Sequence, residues 1–94
     1  MQRSREKIMP EICRFYGIII SLFYGDHNPP HFHVRHGEFK AAIRISDFQL
    51  LEGALPPRAL GLVIEWAARH QAELSSGWEM AAGGKTPARI KPLD

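Results

Sequence analysis

Ninety-four residues, 45 % of them hydrophobic, make one small domain with room for a single modest core and none for a second, cofactor-binding domain. A formal charge of +2 and a pI near 9.0 are compatible with an anionic partner but too weak to demand one. The single cysteine, Cys13, excludes an internal disulfide and fits a reducing compartment, and no apolar run approaches the roughly 20 residues of a membrane span.

The opening Met1-Gln2-Arg3-Ser4-Arg5-Glu6-Lys7 is charged and not followed by the apolar segment of a signal sequence. Residues 1–8 are therefore expected to be a flexible extension of a cytoplasmic protein, with one α+β domain over residues 9–84 and a tail over 85–94. From Ile12 to Tyr24 the composition is β-branched and aromatic, which predicts a strand. Gly17 marks a bend or bulge in it, leaving Ile18 to Tyr24 as the regular part. Ile18, Ile20 and Leu22 share one face and Ile19, Ser21 and Phe23 the other, so this strand reads as central.

Next comes the stretch around which the chain is organised, Gly25-Asp26-His27-Asn28-Pro29-Pro30-His31-Phe32-His33-Val34-Arg35-His36-Gly37, which carries four of the five histidines. Asp26, Asn28 and Pro29 form turns, and the paired prolines fix φ without offering an N–H to a ladder. From His31 the pattern alternates. His31 to His36 and Glu38 to Ile45 read as two strands joined through Gly37, by a two-residue loop of either His36-Gly37 or Gly37-Glu38. Both choices put Phe32, Val34, Phe39, Ala41, Ile43 and Ile45 on the buried side and His31, His33, Arg35, Lys40, Ala42 and Arg44 on the other.

Phe48 to Glu52 adds a short fourth strand or an irregular edge. Pro56-Pro57 opens a helix, in which Leu60, Val63, Ile64, Ala67 and Leu74 recur at helical spacing, with Leu62 and Trp66 widening the arc. Ser75-Ser76-Gly77 predicts a break or kink between Gln71 and Gly77. A second helical piece carrying Leu74, Trp78 and Ala81 stops at Gly83-Gly84. The tail from Lys85 is a loop or extended arm. The predicted fold is an α+β layer: a three- or four-stranded antiparallel sheet packed on one face by a C-terminal helix pair, with the histidine face left open.

Imidazole titrates near neutral pH, so proton transfer and metal ligation are the two chemistries to weigh. His31-x-His33 supplies two ligands on one strand face with Asp26, His27 and His36 nearby. An open zinc site needs three, however, and His36 falls on the opposite face. The residues thus point to no metal and no cofactor. In the acid–base alternative, His31, His33 and Arg35 form the catalytic group, and Lys40, Arg44, His27 and Asp26 bind substrate. This is the inventory of a metal-independent ribonuclease, in which imidazoles exchange protons while cations hold the phosphate. Against it stands an ordinary solvated sheet face, with Asp26 capping its own turn or orienting His27 or His31. His70 beside Trp66 reads as a partly buried histidine with one hydrogen bond, Trp66 and Trp78 as core or partner-facing residues, and Cys13 as structural.

The runs Arg14-Phe15-Tyr16-Gly17-Ile18, Tyr24-Gly25-Asp26-His27-Asn28-Pro29-Pro30-His31-Phe32-His33-Val34, Leu51-Glu52-Gly53-Ala54-Leu55-Pro56 and Trp66-Ala67 with His70 resemble the bacterial family known as domain of unknown function 4160. The resemblance covers about Met9 to Leu93 and implies membership of small two-gene modules of toxin–antitoxin type. A small protein partner encoded alongside and an RNase-like toxin activity follow from it as expectations. Ser21 and Ser75-Ser76-Gly77 depart from the family pattern. The expected function is binding or cleavage of RNA through the His31/His33/Arg35/Lys40/Arg44 face, with no membrane association and with a homodimer compatible. Its rivals are a non-catalytic interaction module presenting Leu62, Trp66 and Trp78 or an open sheet edge, and, third, a His-based metal-binding domain.

Overall fold

The computed structural model describes residues 10–94; the expected 1–8 extension lies outside the described residues. Five strands run as a simple antiparallel meander: β1 (Glu11–Phe15), β2 (Ile18–Ser21), β3 (His31–His36), β4 (Phe39–Arg44) and β5 (Leu50–Gly53). Two helices follow, α1 (Pro57–Arg69) and α2 (Gln71–Ala82). No helix among the described residues is long and apolar enough to cross a membrane.

The α+β class and the helix pair agree with the sequence; the strand count is five and not three or four. The added strand comes from the apolar run before Tyr24. Tyr16 and Gly17 both sit at positive φ, 50° and 76°, so they form a two-residue reversal where the sequence suggested a bend. Residues before it fold back as β1 and pair Phe15 with Ile18 and Cys13 with Ile20. A tyrosine seldom takes that conformation, which is why the sequence did not announce a hairpin. β2 ends at Ser21, and β3 occupies the centre of the sheet.

Between β3 and β4 the loop is Gly37-Glu38, with His36 opposite Phe39 and Gly37 at φ 61°. The register places Ile20, Val34 and Ala41 in one row and Phe32 beside Ile43, all directed to the helices. There they meet Val63, Trp66, Ala67 and Leu74 in one core, with the Trp66 ring 5.7 Å from Phe15 and 6.2 Å from Phe32. Each large side chain buried in this way contributes roughly 1.5–3 kcal/mol. Trp66 and Trp78 both belong to this core, so the partner-facing arc proposed for them is taken up by intramolecular packing.

α1 starts with Pro57 in its first turn and stops at Arg69, and His70 alone separates it from α2. The break falls earlier than Ser75-Ser76-Gly77, which lie inside α2. Gly77 is buried there, and a Cβ on it would stand 2.8 Å from Leu22 Cδ1. Close packing against the sheet thus offsets the weak helix propensity of these residues. The tail, without regular structure, lies along β1 and α1: Ile90 N–H donates to the Ile12 carbonyl at 2.8 Å, and Trp66 Nε1–H donates to that of Lys91 at 2.8 Å.

Candidate functional site

The β2–β3 connection returns across the end of the sheet, anchored where Gly25 N–H donates to the Ala81 carbonyl of α2. It carries Asp26 beneath the first two histidines of β3. The Asp26 side chain is only 2 % exposed, and its two oxygens are divided between different partners. Oδ2 lies 3.0 Å from His31 Nε2 and 2.9 Å from His33 Nε2. Oδ1 accepts the His27 backbone N–H at 2.9 Å and faces His27 Nδ1 at 3.1 Å. Asp26 therefore caps its own turn and orients histidines at once; the two roles that the sequence left as alternatives coexist.

Alternation along β3 brings His31 and His33 to the same side, with ring centroids 4.9 Å apart. They are not equally accessible. His31 is sealed, its side chain 6 % exposed, with its ring 5.2 Å from Trp78 and its Nδ1–H donated to the Pro29 carbonyl at 2.7 Å. The expectation of an open face bearing both imidazoles therefore needs correction: α2 wraps over the end of the sheet and closes it around His31. His33 is 25 % exposed and stacks on Phe23, centroids 3.8 Å apart and planes 10° apart. His27 is the exposed member of the group at 82 %.

Burial pushes the Asp26 carboxyl upward. Hydrogen bonds from His33 and the His27 backbone, with the charges of His31 and His33, outweigh that and leave it below the ordinary aspartate range. It is held as the anion.

The cations expected beside the histidines divide in two. Arg35 and Lys40 face each other across the β3–β4 pair and line a groove of about 330 Å³ with Ile19, Phe23 and His33. Neither cationic side chain makes an ion pair among the described residues. Arg44 is engaged instead: its guanidinium grips Asp47 through two bonds of 2.9 Å and donates to Gln49 Oε1 at 2.7 Å. The sequence did not reveal Phe23, Trp78 and the Pro29 carbonyl as parts of this site. Phe23 was legible in principle, since Ser21 opposite His33 extends their shared face to it.

The other histidines stand apart. His36 Nδ1–H donates to the Gly17 carbonyl at 3.2 Å, and His70 Nδ1 pairs with Glu73 Oε1 beside Trp66. Cys13 is buried, and burial raises its thiol above the ordinary value, as suits a structural residue.

A five-stranded meander backed by two helices, with a buried aspartate holding two strand imidazoles at one end, defines the class: a small α+β domain built around a histidine–aspartate cluster. The chain belongs to the family described as Domain of unknown function (DUF4160), whose sequence pattern matches residues 17–79 and so includes the whole cluster. No curated protein and no solved structure matches the chain.

Proposed function

We propose that the chain binds RNA along the open face of its sheet, as one component of a toxin–antitoxin-like module of the kind the family resemblance implies. The observation that supports this is the groove beside β3. Arg35 and Lys40, unpaired among the described residues, flank a floor of Ile19 and Phe23 that ends at His33, and the carboxylate of Glu11, which also lines the groove, is taken up by Arg14 and Arg89. Two cations suit phosphate oxygens, and an apolar, partly aromatic floor suits an unstacked base. Within the cluster, His33 lines the groove, and Asp26 fixes the direction of its Nε2. His31 sits behind it and positions the carboxylate.

The test is fluorescence anisotropy with a labelled single-stranded RNA. The Arg35→Ala/Lys40→Ala double variant should bind roughly tenfold more weakly, and its salt slope should fall by about 1.4, two contacts at about 0.7 each. Unchanged affinity and slope would remove the proposal. Electrophoresis of the same RNA after incubation separates binding from cleavage. Scission slowed by His33→Ala would assign cleavage to the groove, and intact RNA would leave a binding protein.

The interaction-module reading keeps one specific support. β5 ends the sheet, and Leu50 on it is 40 % exposed. A stable complex with a small protein encoded alongside, of the kind the family resemblance implies, formed without any affinity for RNA, is the result that favours it.

A further inference from the structure

We propose that Asp26, His31 and His33 form a binding site for a divalent transition-metal ion with the chemistry of zinc, ligated by one Asp26 oxygen and by Nε2 of both imidazoles. The inference stands without the RNA reading, because metal uptake is measured with no nucleic acid present.

Proton placement at His31 is the first support. The Pro29 carbonyl can only accept, so the His31 Nδ1 facing it at 2.7 Å must carry the proton. Nε2 of a neutral His31 is then a lone pair, and it points at the Asp26 Oδ2 anion 3.0 Å away. Two electron-rich atoms held that close in a buried place need something positive: a second proton on the ring, or a cation between them. His33 Nε2 converges on the same oxygen at 2.9 Å. A metal at this point would satisfy all three atoms together. The bond from Nδ1–H to a backbone carbonyl is also the outer contact that fixes tautomer and ring direction in a metal-ligating histidine.

Geometry is the second. Bonds of about 2.0–2.1 Å in a tetrahedron separate neighbouring donors by about 3.3 Å. Here the three donor atoms lie within 4.8 Å of one another, with the two carboxylate–imidazole separations at 2.9 and 3.0 Å. Admitting the ion requires the carboxylate oxygen to draw back by a few tenths of an ångström and the two imidazole nitrogens, no more than 4.8 Å apart, to close by up to about 1.5 Å. The rings are already braced, His31 against Trp78 and His33 against Phe23.

Donor chemistry selects the ion. Two imidazoles and a single carboxylate suit zinc and its first-row neighbours, whereas magnesium and calcium require mainly oxygen donors. Three protein donors leave a fourth position for water. Side-chain exposure rises from 2 % at Asp26 through 6 % at His31 to 25 % at His33, so that position opens toward the groove.

The experiment uses the full, untagged chain, stripped with a chelator and titrated calorimetrically with zinc and then with magnesium. One zinc per chain is expected, with no magnesium uptake. Asp26→Asn and His33→Ala should each weaken zinc binding by at least about a hundredfold, beyond what loss of an outer-shell partner costs. His36→Ala and His70→Ala should leave it unchanged. Cobalt(II) titrated into the wild-type chain needs no variant: intense visible bands of a four-coordinate centre are expected. Absence of saturable zinc uptake by the folded wild type, or equal uptake by Asp26→Asn, overturns the proposal and leaves a proton-bridged cluster. Six-coordinate cobalt spectra overturn the tetrahedral assignment.

Discussion

His31 and His33 differ by two positions in the sequence and by a fourfold difference in side-chain exposure in the structure. Alternation explains their shared side, but accessibility depends on Trp78, forty-five residues further along. Arg44 shows the same dependence, since Asp47 and Gln49 absorb a charge that the strand pattern alone assigned to the open face. Trp66 is the residue on which most of the fold converges, fully buried between Phe15 and Phe32 and bonded through Nε1 to the tail. Trp66→Ala should cost about 3–5 kcal/mol of stability in urea unfolding. Trp66→Phe should cost less, mainly the hydrogen bond to Lys91 and the unfilled volume. A Trp66→Ala loss below about 1 kcal/mol would show that the core is not organised as described.

Glycines set the limits of the strands at the level of elements, and two at similar φ make predictions of different size about cost. Gly37, at φ 61°, turns β3 into β4 with open space where a Cβ would go. Gly37→Ala should therefore cost only the left-handed backbone penalty, about 1–2 kcal/mol. Gly53, at φ 77°, ends β5 with a would-be Cβ 2.0 Å from the Lys40 carbonyl oxygen, which also accepts from Ala54 N–H. Gly53→Ala adds overpacking to the same penalty and should cost about 2–5 kcal/mol. The loss should appear as faster hydrogen exchange along β4 and β5. Equal thermal shifts for the two variants would contradict the close approach at Gly53.

The whole molecule is closed by its tail, and Glu11 is the fastener. Its carboxylate binds the Arg14 guanidinium at 2.7 Å and that of Arg89 at 3.2 Å, which joins the tail to the first strand. The Arg14 hydrogen bond holds the Glu11 carboxyl below its ordinary range, with Arg89 adding to it and desolvation opposing both. A carboxylate with a depressed folded value stabilises the fold above its unfolded value, about 4.3 for glutamate. That contribution is lost as pH falls through the lower folded value. Glu11→Gln should therefore flatten the acid limb of the stability curve below about pH 4.3 while leaving its shape near neutrality unchanged. A variant that keeps the wild-type acid limb would show that this contact carries no linkage.

Several features were legible because local rules determine them. Alternation assigned the two sides of β3 and β4, since any tight turn at Gly37 preserves them, but not burial along them: Phe39, expected on the buried side, is 47 % exposed at the hairpin end, and Ala42, expected on the open side, is buried. Proline and helical spacing placed the start of α1 at Pro57, and paired glycines marked where α2 stops. The first hairpin was not legible, because its turn uses a tyrosine at positive φ in place of the usual asparagine or glycine. The helix break was misplaced because Gly77 packs against Leu22, a contact that propensity cannot register.

By itself, the amino-acid sequence determined the α+β class, the two sides of β3 and β4 and the segment that bears the histidines, all of which follow from periodicity and turn chemistry over a few residues. Only tertiary structure decided that Asp26 lies beneath His31 and His33, that Trp78 closes over one of them, and that Arg35 and Lys40 alone of the predicted cations face the groove. Those outcomes depend on side chains distant in the chain meeting at one place, and burial there turns ordinary donors into a cluster with a fixed geometry.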